Sequence, residues 1–255
     1  MILEKDSMKS VLVITPTIGA VELADCVKSV LAQDYENVEH LVVVDGPEFK
    51  YESKQLINEV DPNETVKLLT LPYNTGAGGW YGHRVMAGMS FMVNHDYIMF
   101  LDQDNMIAPN HVSSLVKLME SGNYDWAYSL RKIYSKEGEF LCEDDCESLG
   151  SWPIGGEEKL GHLIDTSAYF FKNEFARATG HFWNWGWGGD RRYFELVTKA
   201  LGHNNFACSG LSTLHYRLGG NEGSVNAEMF EHGNKIIKKI YGDKPLPWRK
   251  IGIKE

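Results

Sequence analysis

The chain has little of what would settle its class at a glance. Its four cysteines, Cys26, Cys142, Cys146 and Cys208, contain no CxxC pair, and no close Cys or His partner completes a zinc site around Cys142 and Cys146. Free thiols in a reduced compartment are the expectation. No apolar run reaches the roughly 18 residues that a membrane-spanning helix needs. The early run at residues 11–14 is too short for the core of a secretion signal, and Pro16 interrupts it. A cytoplasmic location is expected. Positive charge is scarce as well: 25 Lys and Arg face 35 Asp and Glu, a formal charge of −10, which opposes generic binding to a phosphate backbone. Nucleic acid is therefore not the expected partner. No repeat of the length that builds solenoids or propellers is visible.

What is present points to one large core, since 255 residues with 43% hydrophobic content can bury one. The first half alternates short β-branched runs with helical patterns, the signature of an α/β fold with a mostly parallel sheet flanked by helices. "VLVIT" (residues 11–15), "HLVVVD" (40–45), "VKLLTL" (66–71) and "YIMFL" (97–101) read as strands. Val21, Ala24, Val27, Val30 and Leu31 fall at helical spacing. So do Val85, Met86, Met89 and Met92, and Val112, Leu115, Val116 and Met119. Beyond Asn123 the rhythm changes to shorter strands and turns, which divides one domain into residues 1–122 and a mixed second half, 123–255. The stretch 142–161, with six acids and one lysine, reads as a mobile surface loop. The tail at 235–255 carries seven of the 25 basic residues, and its isoleucines allow either a packed helix with a basic outer face or a peripheral contact with anionic lipid.

In a sheet of this kind ligands sit beyond the carboxyl ends of the strands. The residues there are Pro16 and Thr17, then Asp45, then Asn74 and Gly76, and finally Asp102, Gln103 and Asp104. Two aspartates two apart on extended chain can project to one side and share an object. Mg²⁺ or Mn²⁺ suits such a pair, because these ions accept one or two protein carboxylates and complete their shells with phosphate and water. A calcium loop does not fit, since Met106, Ile107 and Ser113 occupy positions that should hold a ligand, a glycine and the closing glutamate. The same spacing also suits two acids capping a helix that begins near Pro109.

The glycine loop "NTGAGGWYG" lacks the Lys-Ser/Thr ending of a phosphate-binding P-loop, and Tyr81 stands where a dinucleotide fingerprint needs its third glycine. It reads either as a flexible turn or as backbone that approaches a ligand closely, with Arg84 able to reach a phosphate. Trp183, Trp185 and Trp187 crowd into five residues, and their faces suit the apolar side of a sugar ring. Core packing is the other account, above all for Trp183.

The ordered set "VLVITPTIGAVELADCVKSVLAQDYENVEHLVVVDG", "NTGAGG" and "YIMFLDQDN" resembles the nucleotide-sugar half of the family 2 glycosyltransferases, which have the GT-A fold. The resemblance covers residues 10–110 and, more loosely, 165–195. It implies an inverting hexosyl- or pentosyltransferase with a UDP-sugar donor and a saccharide or lipid-linked saccharide acceptor; a lipid contact of the basic tail would fit the latter and place the protein at the inner face of a membrane. By the same resemblance Pro16 and Thr17 border the base and Asp45 binds uracil. Asp102 and Asp104 form a DxD pair for ribose and metal-diphosphate, with Gln103, Asn74, Gly76 and Arg84 completing the donor site.

Asp190, in "WGWGGDRRYFELV", is then the base, Asp165 and the tryptophans Trp185 and Trp187 flank the acceptor, and His215 supplies a third metal ligand. Each has a plainer reading: Asp190 as a helix cap, Asp165 as the end of a turn, and His215 as a structural histidine. Two departures from the family pattern stand out. "GHRVMAG" occupies the place of an alanine-arginine-asparagine run, and Gly189 the place of a frequent second acid. A phage-type enzyme acting on modified DNA bases and a non-catalytic carbohydrate-binding protein are the competing readings.

Overall fold

The computed structural model describes residues 8–202, 204–220 and 225–250. The first half supplies the strands β1 (Val11–Thr17), β2 (Val38–Val44), β3 (Lys67–Thr70), β4 (Tyr97–Phe100) and the short β5 (Met106–Ile107). The second half adds β6 (Trp126–Tyr134), β7 (Phe140–Glu143), β8 (Tyr169–Lys172) and β9 (Phe206–Arg217). All belong to one sheet ordered β3-β2-β1-β4-β8-β6-β9-β5, with β7 paired to β6. β3, β2, β1 and β4 run parallel. Every residue of β1 and β4 is buried, because helices cover both faces and leave no side of the strand to water.

The covering helices lie where the periodicity puts them, although Val21, Leu31 and Met92 of the expected stripes are exposed. α1 (Leu23–Leu31) buries Leu23, Cys26, Val27 and Val30, one stripe at helical spacing. α2 (Lys50–Val60) packs beside it through Ile57. α3 (His83–Met92) and α4 (His111–Gly122) bury Val85, Met86 and Met89, and Val112, Leu115, Val116 and Met119. All four expected strands of the first half and its helices are present.

The second half is welded onto the first by pairing. β8 runs antiparallel between β4 and β6. β9 lies parallel to β6 and then reaches back to pair with β5, placing Met106 opposite His215 and Ile107 opposite Leu214. The turn between β4 and β5 is therefore held by later chain. The Asp102 N–H donates to Ser167 Oγ at 3.0 Å, and Arg217 N–H donates to Asn105 Oδ1 at 3.1 Å. Aromatic stacks fill the space beneath: Trp126 on Phe206 and Trp183 on Tyr193, each pair with centroids 4.0 Å apart.

Three expectations meet the structure here: two are revised, and for the basic tail the packed-helix reading is the one present. The acidic stretch 142–161 is not a surface loop, because Asp144, Cys146, Glu147, Ser148 and Leu149 are buried. The burial is possible because Arg131 in β6 meets their charge. The C-terminal basic segment forms α7 (Ala227–Tyr241), whose Phe230 and Ile237 enter the core while Ile240, Lys238 and Lys239 face outward. Lys254, in the same basic tail, lies outside the described residues. The third concerns His215. It neighbours Tyr216 on β9, so the pleat turns the two side chains to opposite faces. Tyr216 lines the cavity described below, while His215 lies 4.8 Å from the Tyr134 ring, away from Asp102 and Asp104. Among the described residues no three His, Cys, Asp or Glu side chains are grouped so as to hold a metal ion.

Candidate active site

A cavity of about 530 Å³ opens beyond the carboxyl ends of β1, β2 and β4. Pro16, Thr17, Asp45, Asn74, Gly76, Asp102, Gln103 and Asp104 all line it, and so do Asp165, Trp187 and Asp190 from the second half. Chain segments far apart in sequence thus meet at one hollow, as open parallel sheets place their ligands.

Hydrogen bonds fix the donor-side loops. Gln103 Oε1 accepts from Thr17 Oγ1 at 2.6 Å and from the Ile18 N–H at 3.1 Å, which ties the end of β1 to the turn after β4. Asp45 holds the glycine loop: Oδ1 accepts from the Thr75 N–H at 2.8 Å and its hydroxyl at 2.7 Å, and Oδ2 from the Gly76 N–H at 2.7 Å. The glycine loop is therefore an ordered wall of the cavity. At Gly76 a Cβ would stand 2.3 Å from the Tyr81 carbonyl oxygen and 2.9 Å from Asp45 Oδ2. Backbone cannot retreat as a flexible side chain can, so Gly76→Ala should break this wall. Calorimetry should then show at least a roughly tenfold loss of nucleotide affinity, about what one charge-assisted hydrogen bond contributes; unchanged affinity would mean that the loop does not touch the ligand.

Asp102 and Asp104 do not cap the next helix. α4 begins after Asn110 with no side-chain cap. Burial and the proximity of Asp104 and Asp165 raise the Asp102 carboxyl well above its ordinary range, with Ser167 Oγ, 3.3 Å from Oδ2, opposing the shift. Burial pushes Asp104 up to about 6. Neither carboxylate has a salt-bridge partner among the described residues. The backbone of Gly220 lies so close to Asp104 that a Cβ there would stand 2.2 Å from Oδ2. Two oxygen-donor acids on one cavity wall, with Arg217 acting on Asp104 only at longer range, form a set that fits a divalent ion such as Mg²⁺ or Mn²⁺ bound jointly with a ligand's oxygens.

Asp190 sits in the first turn of α6 (Gly189–Glu195), where its Oδ1 accepts from the Arg191 N–H at 2.7 Å. The core positions this helix. Tyr193 stacks on the fully buried Trp183, and its hydroxyl lies 2.7 Å from Thr179 Oγ1. Trp183 is thus a packing residue. Burial and Asp165 raise the Asp190 carboxyl, against the pull of the Arg191 N–H, His83 and Arg131.

Several residues that the sequence left unmarked complete the site. Arg131 is buried and uses each arm of its guanidinium: Nε on Asp144 Oδ2 at 2.7 Å, Nη1 on Asp165 Oδ2 at 2.7 Å, and Nη2 on Glu147. Its plane lies over the Tyr216 ring, 4.4 Å from the centroid. Three acids on one base leave excess negative charge, and Glu147 rises to about 7, chiefly through burial. Asp165 also accepts from the Ser167 N–H at 2.9 Å, so it caps a turn and lines the cavity at once. A lone arginine inside the apolar run "WAYSLRKIY" was the available signal for such a cluster.

Two expected contacts are absent from the cavity wall. Arg84 points outward and stacks on Trp80 with its guanidinium 3.6 Å from the ring centroid, while the preceding residue, His83, faces the cavity instead. One step along a helix turns a side chain by roughly 100°. Trp185 lies apart beneath Arg192, at 5.4 Å, whereas Trp187 is on the wall and 73% exposed.

Comparison with known proteins gives these features a frame. The family model described as Glycosyl transferase family 2 matches residues 12–176. No curated protein sequence matches the chain. Among solved structures, S. aureus TarS 1–349 in complex with UDP superposes with a TM-score of 0.59 at 13% identity, covering 94% of this chain and 67% of that one. The same fragment in complex with UDP-GlcNAc gives 0.61 at 14% identity, covering 94% and 68%. A further S. aureus TarS structure gives 0.56 at 13% identity, with 41% of that chain covered.

Proposed function

The chain belongs to glycosyl transferase family 2 and has the GT-A fold, and from that premise we propose that it transfers a sugar from a UDP-sugar to an acceptor hydroxyl with inversion. The observation that carries this reading is the convergence of an aspartate pair without a salt bridge, a glycine-walled hollow and the half-buried Asp190 on one cavity. Pro16, Thr17, Asp45, Asn74, Gly76 and Gln103 form the donor end. Asp102 and Asp104 would hold Mn²⁺ or Mg²⁺, which when bound offsets charge on a departing diphosphate. UDP is proposed as the nucleotide because the similar TarS structures contain UDP and UDP-GlcNAc.

Asp190 takes the proton of the acceptor hydroxyl. A carboxyl raised by burial is a better base near neutral pH than an exposed one, because its proton affinity approaches that of the working solution. Direct displacement then needs no covalent intermediate on the enzyme. Asp165 and Trp187 border the acceptor, a saccharide free or lipid-linked. Six carboxylates on the cavity wall, Asp45, Asp102, Asp104, Glu147, Asp165 and Asp190, speak against a nucleic-acid acceptor. No helix among the described residues is long and apolar enough to cross a membrane.

The test is calorimetric titration with UDP, GDP and ADP, with and without Mn²⁺. UDP should bind best and only with the metal, and Asp104→Ala should remove the metal-dependent part. Metal-independent binding, unaltered in the variant, would end the assignment of the aspartate pair.

A further inference from the structure

The cavity holds more acid than base, and a departing diphosphate needs positive charge from the protein side. Of the candidates, Arg191 lies on the wall next to Asp190, at the acceptor end, and Arg131 is committed to three carboxylates. Arg84 is turned away over Trp80. His83 is differently placed. It is buried, it lines the cavity, and its Nδ1 lies 2.8 Å from the Trp185 carbonyl oxygen. A carbonyl oxygen only accepts, so the proton is on Nδ1 and Nε2 is the free nitrogen. Nε2 has no hydrogen bond among the described residues.

The ring is held from the other side by Gly189, where a Cβ would stand 2.5 Å from His83 Cε1 and 2.6 Å from Nδ1. Any larger residue at 189 would have to displace the imidazole. His83 is thus clamped between the Trp185 carbonyl and the first residue of α6. On one side Gly82 lies against Pro16, where an added Cβ would come within 3.0 Å of the ring. On the other side is Asp190. The imidazole stands at the junction of the donor and acceptor ends, where the bond that breaks must lie if Asp190 receives the acceptor's proton.

We propose that His83 contacts the leaving diphosphate through Nε2, donating a charge-assisted hydrogen bond as an imidazolium whose other N–H is fixed on Trp185. The proposal rests on the nucleotide-sugar reading above. It also accounts for Gly189: the side chain absent there makes room for the ring.

Two isosteric variants separate contact from support. His83→Asn keeps a donor where Nδ1 sits, and so the Trp185 bond, but deletes Nε2; His83→Gln keeps a donor near Nε2. Affinities for UDP and UMP, measured by calorimetry with Mn²⁺, report the contact as the ratio between them. In wild type UDP should bind tighter than UMP. In His83→Asn that advantage should shrink roughly tenfold, as for loss of a hydrogen bond to a charged group. UMP affinity should stay unchanged, and His83→Gln should recover part of the UDP preference. An unchanged UDP to UMP ratio in His83→Asn overturns the proposal, and so does an equal loss for both nucleotides, which would make His83 a scaffold residue. Absence of nucleotide binding by the wild type overturns the donor reading itself.

Discussion

Asp190→Asn should lower sugar transfer by about a hundredfold to ten-thousandfold, the range that a positioned general base contributes, while UDP affinity changes less than about twofold. The separation follows from the placement of the residue. Asp190 belongs to α6, which the Trp183–Tyr193 stack anchors independently of the donor loops. Asparagine keeps the shape and can still accept from the Arg191 N–H, so the helix should be undisturbed. It cannot take a proton. Turnover of a UDP-sugar with a hydroxyl acceptor, beside UDP titration of the same preparation, reads both quantities. Transfer at wild-type rate would move the base elsewhere, and Asp165 would be next to test.

Arg131→Met should be the most destabilising change at the cavity. The side chain is 2% exposed and serves Asp144, Glu147 and Asp165 at once. Removing the one base that serves them among the described residues leaves these acids buried without a salt bridge, a loss of about 3–5 kcal/mol for breaking a buried pair. For a domain of this size the melting temperature should fall on the order of 10 °C. Arg131→Lys should not rescue it fully, since an ammonium is a point charge that cannot present three directed arms to three acids. A thermal melt within a degree or two of wild type would show that the acids simply protonate. The damage should extend to catalysis, because Asp165 and Tyr216 line the cavity and rest on the same guanidinium.

One wall of the cavity was legible in the sequence because its residues follow strands that announce themselves. Thr17 ends β1, Asp45 and Asp102 come directly after apolar runs, Asn74 follows β3 after a short turn, and the sheet does the rest. The opposite wall was only partly legible: Asp165, Trp187 and Asp190 were marked, and their neighbours were not. Arg131, Glu147 and Tyr216 are joined only by long-range pairing of β6, β9 and the stretch before β8, and no local pattern records such pairing. Acid content made 142–161 look solvated, although charge can be buried when one arginine answers several carboxylates. Arg84 and His215 failed for a simpler reason: the residue type was right for the chemistry, but helix phase in one case and strand pleat in the other turned the side chain away. His83, one position earlier, had the right phase and no sequence signal at all.

The return of β9 to β5 also sets an order of events during synthesis. The strands β1 to β4 and their helices can associate as soon as they emerge, since their contacts are short in sequence. The turn bearing Asp102 and Asp104 cannot, because its partners Ser167 and Arg217 come from chain made much later. Loop closure over such separations is slow relative to local pairing. A nascent chain therefore carries a shaped nucleotide half with an unfinished carboxylate turn, and gains a complete site only when its last strand docks.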